Sequence, residues 1–131
     1  MKFLTLLIIS LNIFTTAYAS TEETSVKHMK VADMNSLKEA KLIFAEKSTE
    51  LKSKKVLDAE ELQQIHVITY TLEKSIEYFV LNLQGEKQAL SKKAAIIVEN
   101  IHINSENNRK EKTEGYLKEY FELAEKLESK L

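Results

Sequence analysis

The chain contains no proline and only two glycines, Gly85 and Gly115, in 131 residues. These are the two residue types most costly inside a helix. A sequence so poor in both, and rich in Ala, Leu, Glu and Lys, points to long helices joined by short turns.

The apolar spacing divides the chain into four such helices. "SLKE", Ser36 to Glu39, fits a capping box, in which a hydroxyl and a carboxylate each satisfy a backbone donor at a helix start. Leu37, Ala40, Lys41, Phe44 and Leu51 mark one face of the first helix, and Lys52, Lys54 and Lys55 close it at the negative end of the helix dipole. "DAEE", Asp58 to Glu61, repeats the capping signature and opens the second helix. Leu62, Ile65, Thr69, Leu72, Ile76, Phe79 and Leu83 follow at three- and four-residue spacing, the pattern of a bundle helix. Gly85 is expected to end it in the left-handed conformation common just past a helix.

The third segment is rich in β-branched residues at "AAIIV", which by propensity favours a strand. The spacing of Leu90, Ala94, Ile97 and Ile101 is helical, and no alternating partner strand occurs elsewhere, so a helix is expected. "NSENN", Asn104 to Asn108, reads as a turn. The last helix is expected from about Arg109, with Leu117, Tyr120, Ala124, Leu127 and Leu131 buried. Four amphipathic helices with short connections make an all-α, up-down-up-down four-helix bundle over residues 35–131 the simplest way to bury every stripe.

The N-terminus carries a targeting signal. Lys2 precedes the apolar run "FLTLLIISLNIF", and "AYAS" supplies a small-residue cleavage site after Ala19. The run is shorter than the roughly 20 residues of a membrane span, so residues 1–19 are expected to be a cleaved signal peptide and the mature protein periplasmic or secreted. Residues 20–34 show little periodicity and are expected to form an extended arm. Cleavage removes only Lys2 from the charged set, taking the net charge from −1 to about −2. Such balanced charge offers no basic stripe for nucleic acid and no cationic face for a membrane, leaving another exported protein or a second copy of the chain as the expected partner. The absence of cysteine excludes disulfides, lipid attachment through a thiol, c-type haem and thiolate metal sites.

Chemistry is confined to three histidines, His28, His66 and His102. On a helix His66 shares a face with Thr69, Tyr70 and Glu73. His102 has Glu99 three residues before it and Glu106 four after. Either imidazole can donate one ring proton to a carboxylate and offer its other nitrogen to a metal. The functional expectation is that His66 and His102 face one another across helices two and three and ligate a metal ion or the iron of noncovalent haem. His28 would be a further ligand, with Tyr70 and Glu73 beside the bound group. The competing expectation is a structural or interaction module whose histidines only complete a core hydrogen-bond network. His28, Met29 and Met34 together can also be read as a soft copper-binding arm, although no methionine-rich repeat accompanies them. Tyr116, Tyr120, Phe121, Phe44, Tyr78 and Phe79 read as core aromatics. Gly115, costly inside a helix by about 1 kcal/mol relative to alanine, is expected to admit a neighbouring helix, the Tyr70 ring, or a ligand lying against bare backbone. No nucleophile elbow, phosphate-binding loop, H-E-x-x-H or cysteine nucleophile occurs, so no enzymatic activity is expected.

The block "ELQQIHVITYTLEKSI", Glu61 to Ile76, resembles a group of small exported bacterial helical proteins known as domain of unknown function 6746, which shows an I-H-x-x-T-Y-T-L-E core. "VENIHINSE", Val98 to Glu106, and "GYL", Gly115 to Leu117, are similar to the same family's later segment, and His28 falls where that family places a histidine. The chain departs from the pattern at Met29, where an aromatic is more usual, and at Asn107 and Asn108, where a glycine is expected. The resemblance implies an exported helical protein and brings with it no activity, substrate or catalytic residue.

Overall fold

The computed structural model describes residues 29–131, in which four helices run in chain order: α1 (Leu37–Ser53), α2 (Ala59–Asn82), α3 (Gly85–Glu106) and α4 (Lys110–Glu128). The signal sequence and His28 lie outside the described residues. Each helix packs on its chain neighbour, and a sparser contact between α1 and α4 closes the ring. The result is an all-α four-helix bundle with no strand among the described residues. The β-branched run "AAIIV" is helical, because burying Ala94 and Val98 on α3 outweighs a local preference for strand.

Both capping signatures form, each with its carboxylate reaching past the cap residue. Ser36 Oγ accepts from the Glu39 N–H at 3.1 Å, and the Glu39 carboxylate accepts from the Asn35 N–H at 2.7 Å, one residue before the cap. Asp58 Oδ1 accepts from the Glu61 N–H at 2.9 Å. Glu61 Oε2 in turn accepts from the N–H groups of Val56 and Leu57, at 2.8 and 2.7 Å. Those two bonds hold the α1–α2 turn, where Leu57 takes a φ of 52°. A left-handed conformation costs a branched residue roughly 1–2 kcal/mol, which burial of the Leu57 side chain offsets.

Gly85 has the expected positive φ, 63°, but opens α3 rather than directly following α2, whose cap is Leu83. The α3–α4 turn is tighter than "NSENN" implied. Asn104 to Glu106 stay helical, and the reversal falls at Asn107 and Asn108, the latter with φ 52°.

The core is built from Phe44, Leu51, Ile65, Leu72, Ile76, Phe79, Ile101, Tyr120 and Leu127, all fully enclosed. Leu37 and Lys41 do not join it. Leu37 lies at the first helical position and stays exposed, and Lys41 sends its ammonium to the Leu131 carbonyl at 2.7 Å. The position between Phe44 and Leu51 is instead filled by Ser48, whose hydroxyl meets the Tyr120 hydroxyl at 2.7 Å across the α1–α4 contact. Phe44 packs edge-on against both Phe79 and Tyr120. No helix among the described residues is long and apolar enough to cross a membrane.

Candidate metal centre

The α2–α3 interface departs from an oily seam along one stretch. Its buried polar side chains include His66, Thr69, Ser75, Ser91 and His102, and it also holds the buried ring of Tyr70. The two-turn spacing that puts His66, Tyr70 and Glu73 on one side of α2 brings them opposite His102 and Glu106 of α3. The His66 and His102 rings stand edge to face with centroids 4.5 Å apart, and Tyr70 packs against both, at 5.0 and 4.8 Å.

The hydrogen bonds fix much of the protonation. Thr69 Oγ1 donates its single proton to the His66 carbonyl at 2.6 Å, so at its 2.9 Å contact with His102 Nδ1 it can only accept. Nδ1 of His102 therefore carries hydrogen, and the lone pair resides on Nε2. Glu73 Oε1 lies 3.2 Å from the same Nδ1, in ion-pair range but without a well-aligned hydrogen bond. On the other ring, His66 Nε2 lies 3.2 Å from the Tyr70 hydroxyl. The Met29 backbone N–H donates to that same hydroxyl. His66 Nδ1 is buried with no hydrogen-bond partner.

One ligand atom from each of His66, His102 and Glu106 can be chosen so that all three lie within 4.8 Å of one another. Ligands sharing one zinc ion at about 2.0–2.2 Å would stand roughly 3.3 Å apart. Closing that difference would take a side-chain rotation, for which the half-buried Glu106 has the most freedom. Two imidazoles and a carboxylate with a further position open suit zinc in its three-ligand sites, or ferrous iron. They do not suit haem. Iron between two axial imidazoles, with bonds of about 2 Å on either side, would hold the ring centroids roughly 6 Å apart with a macrocycle between them. Rings in edge contact at 4.5 Å leave no room for that plate, which counts against the haem expectation.

The electrostatics match a site short of positive charge. Burial, and then the charge of Glu99, push the Glu73 carboxyl up to about 7 against a weaker opposing pull from Lys74. Burial also raises the Tyr70 hydroxyl, helped by Glu106 and Glu73.

The structure thus brings His66 and His102 together, with Tyr70 and Glu73 beside them. Two assignments change. Glu73 lies beside His102 across the interface rather than His66 on its own helix, and Glu106, expected to orient His102, comes close enough to both histidines to share an ion with them. The copper arm loses Met34, which packs against the core. No helix or Tyr70 ring closes on Gly115, since a Cβ there would have no neighbour within 4 Å; its backbone lines an open groove with Asn104, Lys112 and Tyr116. Ser48 was missed because a lone serine in an apolar stripe carries no signal of the tyrosine that meets it.

The family model described as "Family of unknown function (DUF6746)" matches residues 1–129, and the chain belongs to that family. No curated protein and no solved structure matches the chain.

Proposed function

We propose that the protein binds one divalent transition-metal ion, zinc or ferrous iron, between α2 and α3, through His66, His102 and Glu106, and that it does so as an exported, non-catalytic binding protein. The reading is carried by ligand atoms of His66, His102 and Glu106 that lie within 4.8 Å of one another, in a cluster where His66 also keeps a buried Nδ1 without a partner. A buried polar atom without a partner costs about 1–3 kcal/mol, and a bound cation would relieve that cost. Thr69 and Glu73 support the reading by holding the His102 tautomer that leaves Nε2 basic, an arrangement typical of ligating histidines.

The test is titration of the purified full-length protein with zinc, and with cobalt as a coloured stand-in. One equivalent should bind, with loss of binding in His66→Ala and in His102→Ala and about tenfold weakening or more in Glu106→Gln. No stoichiometric binding at micromolar concentrations, or binding indifferent to both histidine replacements, would overturn the reading.

One observation favours a purely structural role: the hydroxyls of Tyr70 and Thr69 each already meet one histidine nitrogen. On that reading His66→Ala lowers stability by about 1–3 kcal/mol in chelator and metal adds nothing to the wild type.

A further inference from the structure

Beside the histidines, an open groove of about 430 Å³ runs between α2, α3 and the segment that enters α1. Its walls are aliphatic: Val31, Val80, Leu81 and Ala95. Leu81 at its rim is 73 % exposed. The charged groups facing the groove are Glu73, Glu77 and Glu99 against a single cation, Lys74. That cation is already committed, with Asp33 and Glu77 each 2.8 Å from its ammonium. Glu73 and Glu99 are left with no lysine or arginine partner among the described residues. Glu73 Oε1 is moreover buried and makes no hydrogen bond.

A concave site of this volume, apolar along its walls and edged by three carboxyls against one ammonium, with Glu73 also 3.2 Å from His102 Nδ1, has the dimensions and charge balance of a pocket for a small cation. Anions are repelled by Glu73 and Glu99, and a neutral apolar molecule would leave both carboxyls without a counter-charge. We infer that the groove binds an organic cation, a primary ammonium on a short aliphatic chain, with the charged head between Glu73 and Glu99 and the chain along Val80, Leu81 and Ala95. This goes beyond ion binding at the histidines and does not rest on it.

The experiment is a titration of the full-length protein, in chelator, with hexylammonium, hexanoate and hexanol, followed through backbone amide shifts. Hexylammonium should give saturable shifts at Glu73, Glu77, Ala95 and Glu99, and bind about tenfold more tightly than either matched compound. Glu99→Lys, at an exposed position on α3 that leaves the core untouched, should weaken it by about tenfold as well. Hexanol binding as tightly would show an apolar groove without charge selection, and hexanoate binding better would reverse the sign. Either result overturns the inference, as does the lack of saturable shifts or an unchanged affinity in Glu99→Lys. Because chelator is present throughout, failure here leaves the ion-binding reading standing, and failure of zinc binding leaves this one standing.

Discussion

Thr69 on α2 accepts the Nδ1 proton of His102 on α3 because its own proton is already donated to the His66 backbone carbonyl, so one hydroxyl links the α2 backbone to a single tautomer of His102. Replacing it by valine keeps the shape and removes the acceptor. Thr69→Val should therefore lower zinc affinity by about 10–100-fold, whereas Thr69→Ser, which keeps the oxygen, should stay within a few-fold. Competition against a chromophoric chelator gives both values, and equal affinities in the two variants would show that the hydroxyl does not orient the ring.

Glu73 makes stability depend on pH. Its carboxyl titrates near 7 in the folded chain against an ordinary value of 4.5, so between those limits the folded state holds a proton the unfolded chain has released. Stability from this group is thus fullest below about 4.5, declines as pH rises, and is lowest above about 7. Glu73→Gln removes the ionisation. With the side chain 31 % exposed, solvent screening reduces the effect, and the variant should be more stable than wild type by about 1–2 kcal/mol at pH 8. The gain should vanish in acid. Urea unfolding in chelator across this range would reveal a pH-independent difference if the burial argument were wrong.

Gly115 faces open space in the exposed side of α4. With no steric reason for its bare backbone, Gly115→Ala should stabilise the fold by up to about 1 kcal/mol. A lower midpoint in chemical unfolding would mean that a Cβ does meet something there.

Ser48 and Tyr120 satisfy each other inside the α1–α4 contact. Tyr120→Phe should cost about 1–2 kcal/mol by leaving the serine hydroxyl unsatisfied, and adding Ser48→Ala should recover part of that loss. Strictly additive losses in the double variant would show that the two hydroxyls do not interact.

Much of the bundle is legible in the sequence because its determinants are local. Ser36 and Asp58 cap their helices through bonds spanning three residues, and the stripe from Leu62 to Phe79 needs only a helical period to be read. His66, Thr69 and Tyr70 are legible as one face for the same reason. What escapes is what depends on the rotation of one helix against another. The pairing of Glu73 with His102, the approach of Glu106 to His66 and the meeting of Ser48 with Tyr120 join residues 29, 40 and 72 positions apart, respectively. No periodicity within a single helix encodes those distances. Gly115 misled for the opposite reason: a costly residue suggests a close neighbour, and the helix simply carries the cost.

The seam between α1 and α4 is the thinnest in the bundle, joined chiefly by one hydroxyl pair, the edge-on Phe44–Tyr120 contact and the reach of Lys41 to the last carbonyl. Fluctuations should part the molecule there first, swinging the outer helices away while the inner pair stays clasped. Amide protons of α1 and α4 would then exchange with solvent ahead of those in α2 and α3. The histidines would thus sit at the hinge line, the part of the molecule that moves least.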